Sequence, residues 1–210
     1  MIKLFIDTSY DVFIGLLNSQ GKWEGHTILK GLKASQILQK EILKLLQDKN
    51  LAVSAIDSII TSSGPGFYTG MRLSEGVADV FKLKGLPHFS YYNFMIPKWY
   101  GHKSGLWMTK AYRGEYFFYL WSETKEEKFL LQSKELESYF TQWGQLNIPF
   151  FIHQESAIDE KLKAFVAHYT ETVHLVETNP EVLYQFVVAN NMQEPSYYFR
   201  APEDEFRPSL

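Results

Sequence analysis

The stretch that decides the fold is residues 62–74, which read Ser-Ser-Gly-Pro-Gly-Phe-Tyr-Thr-Gly-Met-Arg-Leu-Ser. It follows an apolar segment, residues 56–61, and leads into a helix-like segment, residues 71–83. Glycine accepts backbone angles that a Cβ forbids and proline fixes its own, so the pattern predicts a tight turn between a strand and a helix. Thr69 is placed to cap that helix, whose first N–H groups and dipole favour a bound anion. Taken alone, this stretch favours a capped strand-to-helix connection without a ligand, because a glycine-rich turn is weak evidence for a binding site.

A second informative stretch lies at the N-terminus, where residues 2–9 read Ile-Lys-Leu-Phe-Ile-Asp-Thr-Ser. The apolar run predicts a buried strand that ends in Asp7, Thr8 and Ser9. A carboxylate at this place can hold a water, a metal or a backbone amide, and the two hydroxyls can donate to a phosphate. The alternative is a capping turn between two hairpin strands.

Together the two stretches form a pattern that resembles the TsaB (YeaZ) family. Members of this family are subunits of the bacterial machinery that makes threonylcarbamoyladenosine in tRNA. The family usually combines I-D-T-S near the N-terminus with G-P-G-S-F-T-G-x-R-x-G after it. The residues of the second motif that this chain keeps are Gly64, Pro65, Gly66, Thr69, Gly70 and Arg72. It carries Phe67, Tyr68 and Ser74 at the positions that differ.

The resemblance implies an α/β fold of two ribonuclease H-like lobes, the architecture shared by actin, Hsp70 and sugar kinases (ASKHA). The order of predicted elements agrees, because three strands, a helix, a strand, a helix and a strand follow one another clearly in the first half and in outline in the second. A polar, glycine-bearing stretch at residues 101–105 separates the halves. We therefore predict an N-terminal lobe over residues 1–103 and a smaller C-terminal lobe over residues 104–210.

The predicted elements follow from period-2 and period-3.6 patterns of apolar residues. In the first half, strands are predicted at 2–7, 12–18, 22–27, 56–61 and 87–91, and helices at 34–47 and 71–83. In the second half, strands are predicted at 106–110, 116–122, 127–131, 149–153 and 172–176, and helices at 133–143, 156–169 and 180–191.

Composition bounds the class of protein. The chain has 210 residues, of which 45% are apolar and 21% charged, the balance of a globular protein. A net charge of −3 without a basic cluster argues against a stand-alone nucleic-acid binder. Cysteine is absent, which excludes disulfides and suits a reducing compartment. Because Met1 runs directly into the first strand and membrane-length apolar runs are missing, we expect a cytoplasmic protein without membrane contact.

An ATP-using enzyme of this architecture needs carboxylates to hold a divalent cation. One carboxylate usually ends the first strand of each lobe, and Asp7 has that place in the first. TsaB relatives commonly read I-D-A-R-x-G-E in the second, and this chain matches at Ala111, Gly114 and Glu115. Lys110 replaces the aspartate, and a cation there opposes a bound metal. We therefore predict a subunit without catalytic residues, metal or cofactor.

Histidine offers no metal site in the sequence. The catalytic relative TsaD carries an H-x-x-x-H pair on a helix, and TsaB members often keep one histidine at the start of the first helix, where this chain has Ala34. None of the six histidines has another three or four residues away, and each is expected at the surface or at a strand edge. A hydrolase is not supported either, because G-x-S-x-G and an ordered Ser–His–Asp set are missing.

Aromatic residues make up 16% of the chain and cluster at Tyr91-Tyr92, residues 116–121 and residues 197–199, among others. Base stacking in a single-stranded groove would require neighbouring Lys and Arg, which are sparse here. Packing in the core and at interfaces is the predicted role. Tyr198 and Arg200 fit the Y-x-R motif with which family members often end.

The resemblance implies a non-catalytic scaffold that pairs with TsaD, which transfers the threonylcarbamoyl group to an adenosine next to the anticodon. TsaE, an ATPase, joins the pair, and tRNA is reached only through the complex. Alone, the same surface can form a homodimer. The implied contact is a four-helix bundle made with the two first-lobe helices. The predicted interface residues are Ile37, Leu38, Glu41, Ile42, Leu45, Met71, Glu75, Val77 and Ala78.

A vestigial nucleotide contact is the remaining implication. Its predicted residues are Asp7, Thr8, Ser9, Gly64, Gly66, Thr69, Gly70 and Arg72. Two other interpretations stay open: a small ATP-dependent kinase or ATPase of the same fold, and a homodimer with a different partner. The second is prompted by the loss of the helix histidine and by the altered second-lobe motif.

Overall fold

A computed structural model describes residues 1–111, 114–143, 148–155, 158, 160–163, 166 and 168–199. Within them, the strands are β1 (Ile2–Asp7), β2 (Val12–Asn18), β3 (Trp23–Leu29), β4 (Ile56–Ser62), β5 (His88–Tyr91), β6 (Gly105–Lys110), β7 (Glu115–Trp121), β8 (Glu126–Gln132), β9 (Phe150–Ile152) and β10 (Thr170–Glu171). The α-helices are α1 (Ala34–Asp48), α2 (Tyr68–Lys82), α3 (Ile96–Trp99), α4 (Leu136–Trp143), α5 (Glu160–Lys163) and α6 (Thr172–Thr178). A π-helical segment, Leu183–Val188, follows α6.

The first sheet has the strand order β3-β2-β1-β4-β5. The hairpin pairs β1–β2 and β2–β3 are antiparallel, whereas β4 runs parallel to β1 and β5 parallel to β4. Elements pack on both faces of this sheet, which explains why the central strand β1 is apolar on successive residues rather than on alternate ones.

The second sheet repeats the arrangement, with the order β10-β9-β6-β7-β8. Here β6, β7 and β8 are antiparallel neighbours, and β9 runs parallel to β6 and β10 parallel to β9. Three antiparallel strands followed by two parallel ones is the ribonuclease H-like arrangement. The predicted α/β fold of two such lobes is therefore confirmed.

Helices α1 and α2 cover one face of the first sheet. Apolar side chains recur at helical spacing along α1, and Leu38, Ile42, Leu45 and Leu46 are buried against the strands. Ala78 of α2 joins the same cluster. Both helices were predicted, although α2 begins three residues earlier than expected.

The opposite face of the first sheet is covered in large part by residues that follow the second sheet in sequence, and Ile96 of α3 joins them. Val173 and Val176 of α6, together with Leu183 and Val187, pack in one cluster with Phe5, Phe13 and Ile60 of the strands. The prediction of a strand at 172–176 is wrong: its β-branched residues favour a strand locally, but Val173 and Val176 are three apart and turn inward together on a helix. The boundary at residue 103 stays a prediction.

Some sequence-based predictions fall outside the described residues. These are Arg200 of the C-terminal motif, parts of the helix predicted at 156–169, and residues 112–113 of the second-lobe motif.

Of the helices in the described ranges, none combines the length and the apolar character needed to cross a membrane.

Candidate functional site

The glycine-rich turn packs directly against the end of β1. A Cβ at Gly66 would overlap the backbone of Ser9, and a Cβ at Gly70 would overlap the carbonyl oxygen of Thr8. The Phe67 N–H donates to the Ser9 carbonyl at 2.7 Å, and the Thr8 hydroxyl donates to the Gly70 carbonyl at 2.6 Å. The glycines are thus required by a close approach of two backbone segments.

The capping prediction for Thr69 is wrong. Helix α2 begins at Tyr68, so Thr69 lies inside the first turn with an exposed side chain rather than at the residue before the helix. The preceding turn is compact because Gly64 has a φ of +85°, a value that favours glycine.

Asp7 is the centre of a buried hydrogen-bond network. Its Oδ1 accepts the Ser9 N–H at 2.9 Å and the Ser9 hydroxyl at 2.6 Å. His153 Nε2 lies 3.3 Å from Asp7 Oδ2 and 2.9 Å from Ser9 Oγ. Asn93 Nδ2 donates to Ser9 Oγ at 3.0 Å. Asp7, Ser9, Asn93 and His153 are 2%, 1%, 0% and 1% exposed.

Electrostatics keeps the Asp7 carboxylate charged. Burial by itself would raise the pKa of Asp7, but the nearby His153 and the hydrogen bonds from His153 and Ser9 together hold it below its ordinary value. The network therefore contains a carboxylate that is already fully engaged by groups of the same chain.

The network joins the two lobes. Asp7 and Ser9 follow strand β1 of the first sheet, whereas His153 follows β9 of the second, and its N–H donates to the Met108 carbonyl at 3.1 Å. The imidazole thus lies in front of the carboxylate that a divalent cation would need. This arrangement stabilises the contact between lobes.

The same atoms do not form a hydrolase triad. In such a triad one imidazole nitrogen faces the serine and the other faces the carboxylate. Here Nε2 faces both Ser9 and Asp7, while Nδ1 lies 3.5 Å from the Thr172 hydroxyl. Because Ser9 is buried as well, a substrate carbonyl has no approach to its hydroxyl.

His153 is the site residue that sequence reasoning missed. The expectation that each histidine lies at the surface or at a strand edge is wrong for it. A usable signal was its place directly after a predicted parallel strand, because the carboxyl ends of such strands are where sites form in α/β sheets. Its burial depends on the contact between lobes, which is not visible in the local sequence.

The corresponding position of the second lobe carries no carboxylate centre. Lys110 ends β6 and lies opposite Tyr116, and Glu115 accepts a hydrogen bond from Gln132 Nε2 at 2.7 Å. Within the described ranges, no group of three or more His, Asp and Glu side chains is arranged to hold a metal ion.

An open cavity of about 690 Å³ lies beside the network. It is bounded by the β1–β2 turn, the loop before α1 and the first turn of α2, and the Tyr10 and Phe67 rings stack on its wall at 4.6 Å. The predicted nucleotide residues that line it are Thr8, Gly66, Thr69 and Gly70. Asp7 and Ser9 belong to the buried network instead.

Arg72, the last predicted nucleotide residue, lies outside this cavity lining. Its guanidinium lies 5.5 Å from the Tyr68 ring and 5.6 Å from the Tyr198 ring, and it pairs with Glu75 at 3.1 Å. The structure brings the other seven together at the β1 end and the glycine turn, but a nucleotide contact stays a prediction.

The predicted partner interface divides into two groups. The members packed in the protein's own core are Leu38, Ile42, Leu45, Met71 and Ala78. These five contribute to the protein's own core, and their contact with a partner stays a prediction. Those that remain partly accessible are Ile37, Glu41, Glu75 and Val77.

His88 is a polar residue on strand β5, next to β4 in the first sheet. Its Nε2 lies 2.7 Å from the Thr61 hydroxyl of β4.

We expect stability to fall as His88 becomes protonated. Burial, and then the charge of Lys82, lower the pKa of His88 to about 4, whereas an unfolded histidine titrates near ~6.5. Because the folded pKa is the lower one, the unfolded state binds more protons between these values, and the free energy of unfolding decreases as pH drops through that window. Since His88 is partly exposed, we expect a loss of about 1 kcal/mol between pH 7 and 5.

The measurement is urea unfolding at pH 7 and pH 5 for the wild type and for His88→Gln. Glutamine can still hydrogen-bond to Thr61 but does not titrate, so the variant should lose less stability on acidification. Equal losses for both proteins would contradict the assignment to His88.

No family model and no curated protein matches this chain. Among solved structures, it is similar to YeaZ from Pseudomonas aeruginosa, with 20% identity and a TM-score of 0.50 over 63% of this chain and 68% of that one. It is also similar to an uncharacterized protein described as having similarity to peptidase YeaZ from Pseudomonas aeruginosa. That likeness has 18% identity and a TM-score of 0.56, and it covers 95% of this chain and 99% of the other. At these identities the likeness establishes the fold.

Proposed function

We propose that this protein is a TsaB-like, non-catalytic subunit that pairs with a TsaD-like catalytic subunit. In this proposal the pair transfers a threonylcarbamoyl group to the adenosine next to the anticodon of tRNA. The two sequence motifs and the fold shared with YeaZ-type structures support it. Neither a likeness of fold nor a motif alone would be sufficient, but they point to the same family.

The observation that carries the non-catalytic role is the closure of the site around Asp7. An ATP-using enzyme of this architecture needs that carboxylate free to hold a cation. Here it accepts two hydrogen bonds from Ser9 and faces His153, and it is 2% exposed. Lys110 in the corresponding place of the second lobe adds an opposing charge.

The proposed partner surface is the α1–α2 face, which we define by its accessible residues Ile37, Glu41, Leu73, Gly76, Val77 and Val80. Val80 is 55% exposed, and a Cβ at Gly76 would meet none of the described atoms within 4 Å. Apolar side chains around an accessible glycine allow a partner helix to approach closely. A helix pair with such a face suits the four-helix bundle implied by the family.

The rest of the assembly follows from the same resemblance. A TsaE-like ATPase joins the pair, tRNA is bound only through the complex, and the protein forms a homodimer when alone. A net charge of −3 supports an indirect contact with tRNA, because direct binding would require a basic surface. The cytoplasm, where tRNA is modified, is the expected compartment.

A peptidase role, suggested by the description of one structural neighbour, has weak support here. The Ser9 hydroxyl is buried and its imidazole neighbour has the wrong arrangement for a triad. An ATP-dependent kinase or ATPase remains the main rival. Magnesium-dependent ATP binding by the isolated protein would favour that rival.

We expect Gly76→Trp to prevent pairing without affecting the fold. The added ring would project from the α1–α2 face into the space that a partner helix needs, and a Cβ at this position meets no atom of the described residues within 4 Å. The measurement is size-exclusion chromatography with light scattering, on the protein mixed with TsaD from the same cell. A one-to-one complex should form with the wild type and weaken at least about tenfold, or about 1.4 kcal/mol, in the variant.

The matched control is Glu123→Trp, which adds the same ring to an exposed position next to β7 of the second sheet. It should bind as the wild type does. If Gly76→Trp binds equally well, the α1–α2 face is not the interface. A wild-type homodimer that ignores TsaD would contradict the proposal and favour a different partner.

A further inference from the structure

Lys128, on the edge strand β8, places its ammonium group among four aromatic rings. Its Nζ lies 4.6 Å from the ring centre of Phe94, 5.2 Å from that of Tyr197, and 5.9 Å from those of Tyr92 and Tyr119. All four distances are within the range of about 6 Å in which a cation is attracted to a ring face.

The four rings also contact one another. Phe94 lies 4.6 Å from Tyr119, 5.2 Å from Tyr92 and 5.9 Å from Tyr197, measured between ring centres. Tyr92 and Tyr197 are 5.5 Å apart and nearly perpendicular. The rings therefore form one continuous wall.

These rings come from three separate parts of the chain. Tyr92 and Phe94 belong to the connection between the lobes, Tyr119 to β7, and Tyr197 to the C-terminal segment. The connection is anchored to the first lobe by the Asn93 N–H, which donates to the Gly64 carbonyl at 2.8 Å. The C-terminal segment is anchored by the Tyr197 N–H, which donates to the Ser63 carbonyl at 2.8 Å. The ammonium group of the exposed Lys128 thus lies over rings that come from both sides of the contact between lobes.

The neighbouring carboxylates make their closest contacts with other lysines, although the charge of Lys128 also acts on Glu126. Glu126 pairs with Lys98, and Glu127 pairs with Lys125. The rings stay uncharged at neutral pH, since burial and then Glu194 raise the pKa of Tyr92 to about 12, and burial raises the pKa of Tyr197. The rings therefore attract the Lys128 ammonium group through their faces and not through a negatively charged phenolate.

We propose that Tyr92, Phe94, Tyr119 and Tyr197 form an ammonium-binding cage that the chain fills with its own Lys128. The cage is selective for a cation of ammonium type. Its occupant holds the second sheet to the connection between lobes and to the C-terminal segment. The proposal does not depend on the proposed pairing with TsaD.

The test compares variants of the full chain by thermal unfolding. Lys128→Met keeps the length of the side chain but removes the charge, and it should lower the unfolding midpoint by roughly 2–4 °C. Lys128→Arg keeps the charge and should lower it less. Lys103→Met is the matched control, because Lys103 is an exposed lysine that pairs with Glu123 rather than with rings.

Two further measurements identify the cage directly. In the wild type, ring currents should move the NMR signals of the Lys128 side-chain protons next to Nζ upfield of those of Lys103. In Lys128→Ala, tetramethylammonium chloride should raise the unfolding midpoint more than sodium chloride at the same ionic strength. Wild-type stability of Lys128→Met, or unshifted Lys128 signals, would overturn the proposal. Equal effects of the two salts would overturn the ammonium selectivity of the cage.

Discussion

Replacing Gly70 by alanine should lower the free energy of unfolding by about 3 kcal/mol. The added methyl group would overlap the Thr8 carbonyl oxygen, which is backbone and cannot rotate away. Relief would require α2 to move from the end of β1, and the hydrogen bond from the Thr8 hydroxyl to the Gly70 carbonyl would stretch or break. Urea unfolding followed by circular dichroism measures the loss.

The control for this prediction lies in the same helix. Gly76→Ala makes the identical chemical change where, in the part of the chain that the structure describes, a Cβ has no neighbour within 4 Å, so it should raise stability by about 0.5–1 kcal/mol through helix propensity. Changes of opposite sign in the free energy of unfolding at the two positions would distinguish the effect of close packing from that of helix propensity. If Gly70→Ala is as stable as the wild type, the close approach of α2 to Thr8 is not required.

Removing the Asp7 carboxylate should have a comparable effect. Asp7→Ala leaves the buried His153 and the Ser9 N–H without their acceptor, and we expect a loss of about 3 kcal/mol. The folded pKa of Asp7 is lowered, so its contribution is fully present above its unfolded value, 3.8, and is lost as pH falls through the folded pKa. Urea unfolding at neutral pH measures the loss directly.

A double-mutant cycle tests whether the loss comes from the contact with His153. His153→Leu removes the other partner, and the double variant Asp7→Ala/His153→Leu should cost clearly less than the sum of the single variants. Additive losses would show that the carboxylate acts on its own. Lys3→Met, which removes a lysine whose pair with Asp57 is also in the first sheet, should lose less than Asp7→Ala.

The periodic spacing of apolar residues along the chain was sufficient to predict most of the fold. Strand β1 was predicted at its observed bounds, and α1 within one residue, because both have an apolar pattern that only one type of element satisfies. The order of elements then implied two lobes of the same topology. Helix α6 was predicted wrongly because a seven-residue segment with four β-branched side chains resembles a strand until the packing surface is known.

The candidate site was predictable only in part. Asp7, Ser9 and the glycine turn were identified from motifs, but His153 enters the same network from a distant part of the chain. For the interface, the apolar stripe of α1 indicated that this helix is covered, either by the protein's own sheet or by a partner. Whether Leu38 packs on its own sheet or on a partner depends on tertiary structure, and the sheet accounts for it.

The late position of α6 and the Leu183–Val188 segment in the sequence has a consequence for biosynthesis. These residues supply a large part of the layer on one face of the first sheet, yet the ribosome makes them after the second sheet. Until they emerge, Phe5, Phe13 and Ile60 of the nascent chain present an uncovered apolar surface, the kind of surface that aggregates or recruits chaperones. The sheet that is translated first is therefore the one that waits longest for its second apolar face to be covered.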